Sequence, residues 1–174
     1  SMSKVIVIVG RPKAGKSTRA MAIVDQLRTE LRAQHGVDLK WAVYDVNKEW
    51  GAPGPLPTMD KYLETATRSR DMLFVFEEAT LFFDPTQGRS DELRELLVRR
   101  RHTGVALILL FHAIADVPRY VLRMVDVWIQ YKTNDADDDL RRVKGVRALV
   151  NAYRQVMADP DPHASVEFDF NAAR

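Results

Sequence analysis

The chain has 174 residues, of which 46% are hydrophobic and 29% charged, the proportions of a soluble globular domain with a sizeable core. It has no cysteine, which excludes a disulfide framework and any cysteine-based zinc or iron–sulfur site. Lys plus Arg is 26 against 24 Asp plus Glu, so the net charge of +2 does not by itself argue for nucleic acid. The distribution is uneven. Residues 3–20 carry Lys4, Arg11, Lys13, Lys16 and Arg19 with no acid, and residues 140–154 carry Arg141, Arg142, Lys144, Arg147 and Arg154 with no acid. Such local basic surfaces attract phosphates even on a near-neutral chain. His35, His102, His112 and His163 show no ligand spacing, which argues against a histidine metal site. No apolar run approaches the roughly 20 residues that span a bilayer, and the short apolar start is no secretory signal, so the expected location is a cytoplasm.

In chain order, Val5–Val9 is a β-branched run bounded by Gly10 and reads as a buried strand. A helix follows from Gly15 to about Gln34, with Ala20, Ile23, Val24, Leu27 and Leu31 at helical spacing. Trp41–Tyr44 is a second strand, Gly51–Pro57 a loop, Thr58–Ser69 a helix and Met72–Phe76 a third strand ending in Glu77-Glu78. Asp84–Arg89 reads as a loop. Ser90 is expected to cap the next helix, which has Asp91 and Glu92 in its first turn and Arg99, Arg100 and Arg101 in its last. Val105–Phe111 and Val127–Tyr131 are two further strands. Residues 140–157 read as a helix, with Val143, Val146, Val150, Tyr153 and Met157 as its apolar stripe and Lys144, Arg147, Asn151 and Arg154 beside it. That polar stripe is either an ordinary solvated face or a surface tracking a DNA backbone. Asp135, Asp137, Asp138 and Asp139 before it read as a solvated turn or helix start, and Val166–Phe170 as an edge strand. The alternation predicts an α/β fold, a mostly parallel sheet between helix layers, in one domain over 1–174 with a core at about 4–132 and an appended helix and strand at 135–170.

Gly10-Arg11-Pro12-Lys13-Ala14-Gly15-Lys16-Ser17 fits G-x-x-x-x-G-K-[ST] at every fixed position, between a buried strand and a helix. In this motif backbone N–H groups and the helix N-terminus wrap an anion. Lys16 would reach the β- and γ-phosphates, Ser17 would give an oxygen to Mg²⁺, and the ATP-binding stretch runs from Gly10 to Thr18. Leu73–Phe76 followed by Glu77-Glu78 resembles a Walker B strand. Glu77 is assigned to the metal and Glu78 to the attacking water, although Asp is more usual at the position of Glu77.

Three further segments resemble the FtsK–HerA superfamily of DNA-pumping ATPases, most nearly the genome-packaging ATPases of tailless double-stranded-DNA viruses, with Zot-like phage proteins nearby. They are Tyr44-Asp45-Val46-Asn47-Lys48-Glu49-Trp50, Arg101-His102-Thr103-Gly104-Val105, and Leu107–His112 with Val117-Pro118 and Val125-Asp126 downstream. The resemblance implies a three-layer P-loop NTPase of the catalytic-glutamate division with strand order 5-1-4-3-2. It implies Arg101 as an arginine finger completing a neighbour's site, with Arg99 and Arg100 as rivals for that role. It places His112 where the family has a Gln sensor; a strand-end histidine bonded to backbone is the equal alternative. The function implied is an ATP-hydrolysing translocase of double-stranded DNA without sequence specificity. It would act as a ring, pentameric or hexameric, in the host cytoplasm or on a virion, with a capsid portal or vertex protein as a further partner. Two other readings remain: a small-molecule kinase with Glu78 or Asp45 as base, and a nucleotide-switched Zot-like assembly protein.

Overall fold

The computed structural model describes residues 3–174. The apolar runs assemble into one six-stranded sheet: β1 (Val5–Val9), β2 (Trp41–Tyr44), β3 (Leu73–Phe76), β4 (Ala106–Phe111), β5 (Val127–Tyr131) and β6 (Ser165–Asp169), in the order β2-β3-β4-β1-β5-β6. The first five are parallel. β6 runs antiparallel on the edge of β5, pairing Tyr131 with Ser165. The expected order 5-1-4-3-2 is present, extended by this edge strand, which begins one residue earlier than its sequence pattern suggests. Phe170 turns instead into a short helix (α7, Phe170–Ala173) and is buried.

Side chains alternate across the strands, so each face collects its own core. Ile8, Val75, Ile108, Leu110 and Ile129 meet Ala20 and Val24 of α1 (Lys16–His35). Val7, Val9, Phe74, Phe76, Leu109, Phe111 and Trp128 form the opposite face. That face is covered by α2 (Met59–Arg68), α3 (Ala79–Phe82), α4 (Ser90–Thr103), α5 (Arg119–Met124) and α6 (Arg147–Ala158). Three layers result, with a single helix on one side. Among the described residues no helix is long and apolar enough to cross a membrane.

Three expectations are corrected. The stretch 140–157 is not one helix: a 3₁₀ segment runs from Asp137 to Val143, the chain turns at Lys144–Val146, and α6 starts at Arg147. Gly145 interrupts the helix, and the break resets its phase. The buried face of α6 is therefore Leu149, Ala152, Tyr153 and Val156, while Met157 is exposed. Ser90 does not cap α4; it is the first helical residue, and Arg89 stands at the cap without a side-chain bond. Asp135 is not solvated. Its buried carboxylate accepts from the backbone N–H groups of Ile114 (2.8 Å) and Ala115 (3.1 Å) and from the Thr133 hydroxyl (2.5 Å).

Candidate functional site

In a parallel sheet of this kind ligands bind outside the carboxyl ends of the strands. Here β1, β3 and β4 deliver their downstream residues to that edge. The loop 10–17 leaves β1 and is anchored on both sides, by Gly10 N–H to Phe111 O (3.0 Å) and Arg11 N–H to Lys132 O (2.8 Å). Tyr131 at the end of β5 lies directly beneath it. A Cβ on Gly10 would stand 2.7 Å from the Tyr131 Cβ, and Gly15 adopts φ 117° against the same ring, so both positions exclude a side chain. Lys16 opens α1 and donates its ammonium to Gly10 O (2.5 Å) and Arg11 O (3.1 Å), which holds it across the loop. Burial lowers its pKa, opposed by the nearby charges of Glu77, Glu78 and Glu49.

β3 is buried along its whole length and ends at the acid pair. The Glu77 carboxylate is bonded at both oxygens: the Ser17 hydroxyl donates to Oε2 (3.1 Å) and the Trp50 indole N–H to Oε1. Burial raises the pKa of Glu77, and the bonds from Trp50 and Ser17 oppose the rise. Ser17 Oγ and Glu77 Oε2 are hard oxygen donors side by side, which suits Mg²⁺. Among the described residues no cluster of three or more His, Asp or Glu forms a cage for a metal, so an ion here would share its shell with phosphate oxygens and water. Glu78 points to the other side, where its Oε2 lies 3.5 Å from His112 Nε2. The backbone N–H of His112 donates to Thr80 Oγ1 (3.0 Å), whose hydroxyl lies 3.4 Å from Asp116 Oδ2. The backbone of His112 is thus tied to Thr80, and its half-exposed ring faces Glu78.

The three arginines separate cleanly. Arg100 is buried and donates to the carbonyls of Ser3 (3.1 Å), Leu97 (2.7 Å) and Met124 (3.1 Å), with Asp126 3.6 Å away. That is a packing role, and it removes Arg100 as a rival finger. Arg99 pairs on the surface with Glu95 (3.4 Å), and Arg101 is exposed. Both lie at the amino-terminal edge of the sheet, because α4 feeds directly into β4. With about 3.3 Å of rise per strand residue, β4 puts roughly 20 Å between them and the phosphate loop of the same chain.

Three contributors were given no role by the sequence reading, although Glu49 and Trp50 belong to the segment 44–50 that carries the resemblance. Trp50 positions Glu77. Its backbone N–H is held by the buried Asp45 carboxylate (3.0 Å), and its ring packs on Trp41 at 5.7 Å. Glu49 lies close enough for Lys16 and Glu77 to feel its charge. His163, in the turn before β6, places Nδ1 3.1 Å from Ala14 O on the phosphate loop. The same segment is tied down by the Lys132 ammonium on Asp159 O and by Arg19 with Glu167 at 2.8 Å.

A glycine-rich loop between β1 and α1, with β4 inserted between β1 and β3 and an acid pair at the tip of β3, defines the P-loop NTPase fold. Solved structures of this fold match the chain over most or all of its length. The DNA-packaging ATPase B204 of Sulfolobus turreted icosahedral virus matches at TM-score 0.68 and 16% identity, covering 99% of this chain and 95% of that one. The genome-packaging NTPase B204 of Sulfolobus turreted icosahedral virus 2, in complex with AMP, matches at 0.71 and 20%, covering 100% and 96%. The N-terminal domain of zonular occludens toxin from Neisseria meningitidis matches at 0.57 and 14%, covering 77% and 79%. No protein-family model and no curated protein sequence matches the chain.

Proposed function

We propose that the chain is the ATP-hydrolysing subunit of a ring-shaped motor of the FtsK–HerA type that moves double-stranded DNA, in the setting of viral genome packaging. The observation that carries this reading is the convergence of the loop 10–17, the Ser17–Glu77 pair and the Glu78–His112 pair at one sheet edge. The chain around them superposes along its full length on packaging NTPases, one of them solved with AMPPCP and with ATP-gammaS.

The loop N–H groups from Gly10 to Thr18 and the Lys16 ammonium would cradle the phosphates of ATP. Ser17 and Glu77 would hold Mg²⁺, which when bound neutralises charge between the β- and γ-phosphates. Glu78 would orient and polarise the attacking water, with His112 steadying its carboxylate. Arg101 lies too far from its own chain's loop to act there, so its guanidinium would serve the site of a neighbouring subunit. A head-to-tail contact of that kind closes into a ring, with five or six subunits as the working expectation. The setting would be the host cytoplasm or a virion, with a capsid portal or vertex protein as the docking partner.

The deciding measurement is the ATPase rate with and without double-stranded DNA, with Lys16→Ala as the control. Hydrolysis that rises with duplex DNA of any sequence and vanishes in Lys16→Ala supports the motor. Hydrolysis indifferent to DNA overturns it and favours the nucleotide-switched assembly protein, the reading to which the likeness to the zonular occludens toxin domain lends support.

A further inference from the structure

Beside the turn at Lys144–Val146, the chain forms a concavity of about 790 Å³ that has no part in the nucleotide site. Arg141, Lys144, Arg147, Asn151 and Arg154 rim it, and Val150 and Tyr153 contribute to its floor. Arg147, Asn151 and Arg154 follow one another at i, i+4 and i+7 on α6, so they form a single stripe, and Lys144, in the turn before the helix, lines the same concavity beside them. The opposite face of the helix, Leu149, Ala152 and Val156, is buried, which fixes the stripe outward. Arg141 is paired with Asp138 at 3.0 Å, and Asp137 is the acid that lines the concavity. Among the described residues no carboxylate lies within ion-pair distance of Lys144, Arg147 or Arg154, and all three side chains are exposed.

Neighbouring unpaired cations repel one another and are tolerated at a cost unless an anion shares them. The form of the site narrows which anion. From Arg147 to Arg154 the helix rises about 10 Å, a length over which a duplex, with one charge per strand at about every 3.4 Å of its axis, offers several phosphates. Tyr153 is buried and Val150 half-buried, so the floor offers no protruding aromatic or aliphatic anchor of the kind that concentrates binding energy in protein–protein contacts. What remains is a shallow row of charge with an amide in it, suited to a sugar–phosphate backbone and blind to base sequence.

We propose that this row, Lys144, Arg147, Asn151 and Arg154, is a contact surface for the phosphate backbone of duplex DNA. The proposal rests on the motor reading above and adds to it the place where the DNA is held. Lys144, Arg147 and Arg154 would each displace one condensed counterion, so binding should depend steeply on salt.

The test compares the parent with the triple variant Lys144→Gln, Arg147→Gln, Arg154→Gln and with a charge-matched control, Arg28→Gln, Arg32→Gln, Arg68→Gln, whose sites lie on α1 and α2. Binding of a mixed-sequence duplex is titrated across salt, and ATPase is measured with and without it. In the triple variant the slope of log K against log salt should become shallower by about 2.7, at about 0.9 per phosphate contact. Between about 50 and 200 mM salt the parent should then lose roughly 40-fold more affinity than the variant. Basal ATPase should stay at the parental level while stimulation by DNA falls, and the control should keep both slope and stimulation. Arg147→Gln and Arg154→Gln alone should each shift the slope by about 0.9, which guards against a misfolded triple variant. An unchanged slope and unchanged stimulation in these variants, with the parent stimulated by DNA, overturns the surface and leaves the motor standing. An unchanged slope would also be the result if the row served an acidic protein instead. A parent that neither binds nor responds to duplex DNA overturns both.

Discussion

The indole N–H of Trp50 donates to the Glu77 carboxylate across 27 residues of sequence. This bond reaches the oxygen opposite the one bonded by Ser17, so it fixes the direction in which Glu77 presents Oε2. Trp50→Phe keeps the packing on Trp41 and removes the donor. Since the Trp50 bond opposes the burial-driven rise in the pKa of Glu77, its loss pushes that pKa further up and leaves the carboxylate held by Ser17 alone. The expected outcome is a several-fold increase in the Mg²⁺ concentration needed for half-maximal hydrolysis, with the fold intact by circular dichroism. An unchanged Mg²⁺ response would place Glu77 outside the metal site.

The two acids should respond differently to the same change. Glu78→Gln keeps the shape and removes the charge that orients water, so it should bind ATP and lose turnover by about 10²–10⁴-fold. Glu77→Gln should weaken Mg²⁺ dependence, and it should also alter stability. A carboxyl whose pKa is raised in the fold binds its proton more tightly there than in the unfolded chain. The folded state is therefore penalised as pH rises from the ordinary value of 4.5 through the raised one. Glu77→Gln removes that penalty, so the nucleotide-free, Mg²⁺-free variant should be more stable than the parent at neutral pH. The advantage should shrink as pH falls toward 4.5, where Glu77 is increasingly protonated in both states. Thermal melts across pH check this, and a variant less stable at neutral pH would contradict it.

His163 reaches the phosphate loop from the far end of the chain, and its bond to Ala14 O is the direct tie between the turn before β6 and that loop. His163→Ala should loosen the loop without touching the reacting atoms. ATP KM should rise about threefold to tenfold, in line with one lost hydrogen bond of about 1 kcal/mol, while kcat stays near the parental value. His163→Asn offers an amide N–H at a similar reach and should recover most of the affinity. Equal KM values in all three proteins would reduce the contact to packing.

The loop 10–17 was legible because its motif is written in eight consecutive residues at fixed spacing, flanked by a strand and a helix that periodicity alone reveals. The sheet order followed from the same alternation together with the family resemblance. What lay hidden joins residues far apart in the chain: Trp50 to Glu77, His163 to Ala14, and Asp135 to the turn after β4. Arg100 is different, for a signal was available. Leu93, Leu96, Leu97 and Arg100 fall at i, i+3, i+4 and i+7, so the arginine sits on the apolar stripe of α4 and had to be buried. The helix placed over 140–157 failed for a local reason. Gly145 lies in the turn at Lys144–Val146, and one stripe counted across it ended on Met157, which is exposed, and passed over Leu149, Ala152 and Val156, although Tyr153 is buried as expected.

The separation of the arginines allows a sharp test of the proposed trans finger. Arg100→Ala strips three carbonyls of their donor and leaves the mostly buried Asp126 without its cation, so it should cost about 3 kcal/mol or more of stability. Arg101→Ala removes an exposed side chain and should leave stability and ATP affinity nearly unchanged. If Arg101 stabilises the transferring phosphoryl group of a neighbour, hydrolysis should nonetheless fall by about 10³–10⁵-fold. Mixing Arg101→Ala with Glu78→Gln subunits discriminates further. The first carries an intact acid and the second an intact finger, so mixed rings contain interfaces where Glu78 faces a neighbour's Arg101. Those interfaces should recover part of the activity that each variant lacks alone. A finger acting within its own chain gives no recovery at any ratio, and neither does an arginine that only packs. Because the phosphate loop and Arg101 occupy opposite edges of the sheet, recovery on mixing is the outcome this architecture demands if Arg101 takes part in hydrolysis at all.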